Sequence, residues 1–589
     1  MAANFDPGSA KSNSDAQTSD YAAAISSSLE DLRSVLRQTS LLTDLNQSTH
    51  PSDQLRIKTI HQISDYLIPR LCNLNAPLLA VVGGSTGSGK STLVNSLLQD
   101  RVSVSSAVRP TTKVPVLAHN PQDNLWFEDQ RILPELQRVY VTGTDRNSTI
   151  TATSRLLLAP NGRVPTGIAL LDAPDIDSVS DANRALSAQL LNAADLWIFV
   201  TTANRYADAL PWDMLTEAGS RDITVFIVLN RVPDGAESEI VPDLQRLLKE
   251  HQLDPSRLHV IPEVELDPHG FIPIQYVDNL KSWIESLASD AQVRHRIAAQ
   301  TLDGALKRTA ADISELLAEL REQEGQLQEL KLNVEERFDQ ALEKSSEALN
   351  DGAMLRGEIL TRWQDFVGTG ELLRGIESTV GRVRDRIGSF FSGKPPAGQR
   401  VEQAIESGLH TIFVSEITKA CKDTDQTWKN TPFGRALLQS LPEHRPAADL
   451  EEQAAQSIRA WQNDVLAMIR QEGAGKRKSA RIAAIGVNGV AVILMVVVFA
   501  STAGLTGIEL GIAGGSAVVG QKLLEAIFGE DAVRRMAARA RTILDERTSE
   551  LIRRSSGVYL EVIASHEQPE SIAQLTEFVR EQGKKGQHS

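Results

Sequence analysis

Cysteine is nearly absent. Cys72 and Cys421 are the only two in 589 residues, and neither sits in a C-x-x-C pair or a Cys/His cluster. That excludes a disulfide scaffold and argues against a structural zinc site, so both are expected as buried apolar thiols. Positive charge is in the minority, with 61 Lys and Arg against 76 Asp and Glu, a net charge of −15 and an isoelectric point near 5.4. A generic nucleic-acid binder works by neutralising phosphates, so no nucleic-acid partner is expected. The opening stretch MAANFDPGSAKSNSDAQTSD has neither a basic n-region nor an apolar h-region, so nothing directs it to secretion and the bulk of the chain is expected in the cytosol. Long hydrophobic runs are also scarce, with a mean hydropathy of −0.20, but the average hides one strong exception, described below. No repeat of about 20–50 residues is present, which excludes a solenoid.

The length suits about three or four compact units. Residues 1–20 are rich in Ser, Asn, Asp and Ala and are expected as a disordered tail. Over 21–72, Ile25, Leu29, Leu32 and Leu36, then Leu55, Ile60, Ile63 and Leu67, recur at helical spacing around a break at His50, Pro51 and Ser52. Two amphipathic helices follow from that spacing. From 73 to 290 the pattern changes to β-rich runs, LLAVV (78–82), IALL (168–171), LWIFV (196–200), ITVFIVL (223–229) and LHVI (258–261), separated by helix-length polar segments. This alternation predicts a mostly parallel α/β sheet. Over 291–480 the strands cease, and Leu306, Ile313, Leu320, Leu327, Val334 and Ala341 fall seven apart, with Leu316 and Leu330 at the matching d-like positions. Thr309 and Gln323 dilute the seam, which suits a long helix of a bundle better than a strict zipper. GSFFSGKPPAG (388–398) reads as a loop, with helix on to about Leu441 and again, beyond EHRPA (443–447), over Asp449 to Glu472.

The first of the β-rich runs leads into Gly83, Gly84, Ser85, Thr86, Gly87, Ser88, Gly89, Lys90, Ser91 and Thr92. This satisfies G-x-x-x-x-G-K-[ST] in its strand-to-helix setting, with LVNSLLQD as the helix. The residue types explain themselves: glycines let backbone N–H groups close on phosphates, Lys90 reaches the β and γ oxygens, and the Ser91 hydroxyl ligates Mg²⁺. Gly84 to Thr92 are the candidate phosphate-binding residues. Asp172, at the end of IALLD, is placed to hold Mg²⁺ through water.

GKSTLVNSLL followed by Ala107, Val108, Arg109, Pro110, Thr111, Thr112 and Lys113 resembles the GTPases of the translation-factor-related class and, within it, the bacterial dynamin-like proteins. The resemblance is specific over about 78–112. It implies a P-loop GTPase domain over 73–290, with GTP and Mg²⁺ as ligand and cofactor, Lys90 stabilising the transferring phosphoryl group, and a threonine of the first switch loop, Thr111 or Thr112 with Thr112 preferred, binding Mg²⁺ and sensing the γ-phosphate. DAPD at 172–175 resembles the family's D-x-P-G, but Asp175 stands where a glycine would offer its N–H. Asn230, Arg231, Val232, Pro233 and Asp234 resemble N/T-K-x-D, which reads guanine, with the aspartate one residue late. A bulged loop is required to restore its register, and guanine is preferred over adenine.

The exception in hydropathy is IAAIGVNGVAVILMVVVFA at 482–500, 19 uncharged residues in which only Asn488 is strongly polar. A run of that length can cross a hydrocarbon core of about 30 Å. A weaker run, AGLTGIELGIAGGSAVVG (503–520), carries Glu509 and the small-residue stripe Gly507, Gly511 and Gly515. Lys476, Arg477, Lys478 and Arg481 precede the pair, and Lys522, Arg534, Arg535, Arg539 and Arg541 follow it. Both ends are therefore expected in the cytosol, with 481–528 as a transmembrane or membrane-inserted helical hairpin. A buried hairpin in a soluble bundle is the other reading. ELLRGIESTVGRVRDRIGSFFSGK (371–394) mixes arginines with apolar side chains and is a second possible contact with an anionic surface. Residues 529–589 return to amphipathic helix. The order of parts is similar to that of bacterial dynamin-like proteins, which implies a GTPase at the cytoplasmic face of the cell membrane. Its partners would be lipids and further copies or a paralogous GTPase, and its turnover would be coupled to self-assembly and membrane remodelling or tethering. The alternative is a non-mechanical GTPase switch or scaffold regulating a division or transport complex.

Overall fold

The computed structural model describes residues 24–41, 51–103, 114–129, 131–134, 136–140, 155–177, 181–251, 253–350, 358–368, 397–442, 446–474, 482, 485–502 and 514–586. Those up to Arg321, together with those from Gln568 onward, form one compact unit; Glu322–Glu567 belong to a second. Thr111, Thr112, the N-terminal tail, the basic-apolar segment 371–394, Glu509 and the glycines Gly507 and Gly511 lie outside the described residues.

In the first unit, α1 (24–38) is followed by α2 (Pro51–His61), a π-helical stretch Gln62–Leu67 and α3 (Ile68–Cys72). Pro51 opens its helix, where a missing N–H costs nothing. The α/β part then runs β1 (Leu78–Gly84), α4 (Lys90–Leu98), β2 (Val116–His119), the single turn α5 (Asn124–Phe127), β3 (Gln137–Tyr140), β4 (Arg155–Pro160), β5 (Ile168–Asp172), α6 (Asp181–Asn192), β6 (Leu196–Thr202), α7 (Ala209–Ser220), β7 (Thr224–Val232), α8 (Glu237–Glu250), β8 (Leu258–Pro262) and α9 (Asp278–Ser289). The eight strands form one sheet in the order β3-β4-β2-β5-β1-β6-β7-β8. All neighbours are parallel except β2 and β5. Because strand side chains alternate, Leu79 and Val81 of β1 enter one core and Leu78, Ala80 and Val82 the other, so both faces of the sheet are covered. The five anticipated strands are all present; β2, β3 and β4 were not anticipated.

A 60-residue helix, α10 (Ala291–Asn350), contributes to both units. Its seven-residue pattern holds: Ile313, Leu320, Leu327, Val334 and Ala341 are buried, and so are Thr309 and Gln323 in the same seam. In the first unit, Ile313, Leu316 and Leu320 share a core with Leu29 and Leu36 of α1 and with Leu575 and Phe578 of α18 (Pro569–Gly586). Gly304 of α10 lies so close to the chain after α7 that an added Cβ would stand 2.1 Å from the Arg221 carbonyl oxygen.

The second unit is helical: α11 (Glu358–Gly368), α12 (Ala397–Lys429), α13 (Pro432–Ser440), α14 (Pro446–Glu472), α15 (Val487–Thr502), α16 (Gly514–Phe528) and α17 (Glu530–Ala564). An unanticipated break separates α12 from α13, where Thr431 caps the new helix by accepting from Gly434 N at 3.0 Å and Pro432 occupies its first turn. Val490 to Phe499 of α15 are buried in the core of this unit, with Phe499 against Trp461 of α14 at 5.9 Å between ring centres. The expected transmembrane helix over 482–500 is corrected here. Gly486 takes φ +85°, a left-handed conformation that interrupts the apolar run, and the helix beyond it has 16 residues. At 1.5 Å per residue it is about 24 Å long, short of a hydrocarbon core. Among the described residues, no helix is long and apolar enough to cross a membrane. The cysteines also differ from each other: Cys421 is buried, but Cys72 is exposed at the end of α3, 3.6 Å from Ser26 Oγ.

Candidate nucleotide-binding site

The site grows from the end of the central strand. β1 delivers Gly84 with φ +149° and its Cα against β6, where a Cβ would stand 2.0 Å from the Val200 carbonyl oxygen, so no other residue fits. Ser85, Thr86, Gly87 and Ser88 form the loop, and Gly89, at φ +93°, starts α4 as its N-cap. Lys90 is only 4% exposed, and its Nζ donates to the carbonyls of Gly84 at 2.9 Å and Ser85 at 3.0 Å. The ammonium is thus folded back over its own loop by the α4 geometry. Its third bond goes to Asp175 Oδ1 at 2.5 Å, and Asp175 is itself buried. Thr92 follows on α4, half-buried, and its carbonyl accepts from Ser96 Oγ.

Ser91 and Asp172 meet as the sequence implies: Ser91 Oγ donates to Asp172 Oδ2 at 2.6 Å. Ser103 Oγ donates to the same oxygen. Asp172 is wholly buried, and its other oxygen, Oδ1, has no hydrogen-bond partner among the described residues. Burial raises its carboxyl above the usual range against the opposing pull of the Ser103 and Ser91 hydroxyls. An unpartnered buried carboxylate oxygen beside a serine hydroxyl fits a hard cation that takes oxygen ligands.

The segment after β5 lies along the phosphate loop. Ala173 N donates to Val82 O at 3.1 Å, and Asp177 Oδ1 accepts from both the amide and the hydroxyl of Thr86, each at 2.6 Å. Arg205, beyond β6, closes the set with an ion pair to Asp177. Burial works against ionisation of Asp177, but the Thr86 donors and Arg205 hold its carboxyl below the usual range. Asn95 on α4 ties down the stretch that follows the helix, donating to Ser103 O at 2.8 Å and accepting from Val102 N and Ser103 N, both at 2.9 Å. Asn95, Ser103, Asp177 and Arg205 were not singled out from sequence. Asn95 alone left a signal there, as a polar residue inside the apolar GKSTLVNSLL helix.

On the neighbouring side, Asn230 at the end of β7 is buried, and its Nδ2 donates to Ser88 O at 2.8 Å. Arg231 is exposed, with φ +55°, and Asp234 is exposed in the turn beyond. β7 carries a bulge just ahead of this turn. Leu229 pairs with Val260 and Val232 with Pro262, so three steps along β7 match two along β8 and one extra residue is absorbed between Leu229 and Val232.

Residues 79–232, from β1 through the end of β7, match the family model of the Dynamin family. These residues are a dynamin-family GTPase domain. The P-loop, Asp172, Asp175 and Asn230 fall inside the dynamin-family domain, and Asp234 lies just past it. A search of the curated proteins gives no match. Among solved structures, the chain is similar to one described as an oligomerised bacterial dynamin pair that provides a mechanism for long-range sensing and tethering of membranes, at 12% identity, covering 91% of this chain and 96% of that one, with a TM-score of 0.41. It is also similar to LeoA, a bacterial dynamin GTPase from ETEC, at 12% identity over 93% and 99% of the two chains, with a TM-score of 0.22.

Proposed function

We propose that this GTPase uses Mg²⁺, reads guanine through the β7–α8 turn, and acts at a membrane, where turnover drives self-assembly and remodelling or tethering at the cytoplasmic face. The observation that carries the nucleotide part is the convergence of Lys90, Ser91 and Asp172 at the end of β1, a cation-binding corner beside a phosphate-binding ammonium. Among the described residues, no cluster of three or more His, Cys, Asp or Glu could hold a metal. Because Ser91 Oγ sits on Asp172 and the Asp172 Oδ1 atom is buried without a partner among the described residues, Ser91 would hold Mg²⁺ directly and Asp172 through water, with Thr112 the residue assigned from the first switch loop. When bound, Mg²⁺ would neutralise developing charge on the phosphates. The chain's own part is positional: the loop amides and Lys90 orient the phosphates, because phosphoryl transfer demands placement and charge stabilisation more than covalent chemistry. Arg231 would lay its stem on the base, and Asp234 would accept from the guanine N1 and N2 donors, its register supplied by the bulge in β7.

The membrane part is supported by α15, an uncharged apolar helix kept inside the second unit. Burial in the fold and burial in lipid satisfy the same surface, so a rearrangement that released α15 would offer it to a bilayer. The test is GTP hydrolysis and flotation with anionic liposomes, with GDP and with a non-hydrolysable GTP analogue. Triphosphate-dependent flotation and turnover that rises with lipid and protein concentration support the reading. Turnover indifferent to lipid, with no flotation in any state, favours the non-mechanical switch or scaffold.

A further inference from the structure

Lys90 has three ammonium protons, and the structure accounts for all of them: Gly84 O, Ser85 O and Asp175 Oδ1. A phosphate oxygen can reach this ammonium only by displacing one of the three. The two carbonyls belong to the backbone of the loop itself and move only if the loop moves. Asp175 is the acceptor that can leave, since it sits on the loop after β5 and is joined to Lys90 by its side chain.

We propose that Asp175 is a specificity-determining residue that occupies the phosphate position on Lys90 and so sets how strongly the site prefers nucleoside triphosphates or diphosphates; this rests on the GTP reading above. The pair is buried, Lys90 at 4% and Asp175 at 7% side-chain exposure, so water screens it little. Its geometry is also maintained from two residues further on. Asp177 grips the amide and hydroxyl of Thr86 and is paired with Arg205, and Ser187 Oγ donates to Pro174 O at 2.9 Å. The backbone on both sides of Asp175 is therefore anchored, one side to α6 and the other to the phosphate loop, and the carboxylate is held toward Lys90. A nucleotide competes with a tethered anion already in place, and its apparent affinity falls by the fraction of molecules in which Lys90 is free. The penalty grows with charge brought close to Asp175. A triphosphate, with one more phosphate near Lys90 than a diphosphate, bears more of it.

The test is equilibrium binding of fluorescent GDP and a fluorescent non-hydrolysable GTP analogue to the full chain, comparing wild type with Asp175→Asn, Asp175→Gly and Asp175→Glu, with thermal melting of each as a check on folding. Asp175→Asn and Asp175→Gly are expected to bind the triphosphate at least ~10-fold more tightly, ~1.4 kcal/mol, with a clearly smaller gain for GDP. Asp175→Glu retains the charge and is expected to stay within ~3-fold of wild type, a shift of under ~1 kcal/mol. Nucleotide-free Asp175→Asn is also expected to melt below wild type, since Lys90 loses its buried counter-charge, and to recover more on adding the analogue. Unchanged or weaker triphosphate binding in folded Asp175→Asn and Asp175→Gly overturns the assignment, as does an equal gain for GDP. If wild type and every folded variant bind neither nucleotide, the assignment falls together with the GTP reading.

Discussion

Asn230 braces the phosphate loop from the neighbouring strand: its Nδ2 donates to the Ser88 carbonyl at 2.8 Å while its Oδ1 accepts from Arg231 N at 3.0 Å. The bond crosses 142 positions of sequence and ties the end of β7 to the glycine-rich loop after β1. Asn230→Ala leaves a buried carbonyl without its donor, at about 1–3 kcal/mol. It is therefore expected to weaken GTP and ATP binding alike, by roughly 10-fold or more. Asp234→Asn, in the exposed turn, is expected to spare ATP and weaken GTP, because the amide keeps one acceptor oxygen but sets an NH2 donor against the second of guanine's two donors. Parallel titrations of both nucleotides separate the two roles. Equal losses of GTP and ATP in Asp234→Asn would show that this aspartate does not read the base.

Gly304 marks where α10 meets the turn after α7. An added Cβ would lie 2.1 Å from the Arg221 carbonyl oxygen, which is backbone and cannot swing aside. Gly304→Ala is expected to lower the stability of the first unit by about 1–3 kcal/mol through overpacking, despite alanine's better helix propensity. Chemical denaturation followed by intrinsic fluorescence reads this. A stabilised variant would mean that the helix and turn are not so closely packed in solution.

The cysteines give a pH-dependent prediction. Burial pushes the Cys421 thiol up to about 11, with the Tyr559 hydroxyl opposing and Asp425 adding to the shift. A raised thiol pKa keeps the unreactive protonated form dominant until the pH approaches that value. Iodoacetamide at pH 8 is expected to modify Cys72 within minutes and leave Cys421 intact, and both should react once the chain is denatured. Mass spectrometry of the peptides checks it; rapid native labelling of Cys421 would contradict its burial.

Much of this was legible in the sequence because some signals are local. β1 and its glycines, Lys90 and Ser91 sit in one continuous stretch whose spacing carries the chemistry, and the seven-residue recurrence from Leu306 to Ala341 directly encodes one buried helix face. Three strands escaped because they lack a local pattern: Val116–His119 has four residues, Gln137–Tyr140 is largely solvent-facing, and Arg155–Pro160 has no clean alternation. The contacts of Asp177 with Thr86 and of Ser103 with Asp172 join positions 91 and 69 apart, which no local spacing can reveal. The apolar run at 482–500 misled for a related reason. Hydropathy reports that a segment avoids water but does not say whether lipid or protein covers it, and the left-handed turn at Gly486 decides the helix length.

The most direct test of the account is the rate of GTP and ATP hydrolysis by the purified chain beside Lys90→Ala. The account predicts hydrolysis selective for GTP and a fall of at least ~100-fold in the variant, the usual scale for removing a group that stabilises transition-state charge. ATP turned over as fast as GTP, or activity that survives the loss of Lys90, would contradict it.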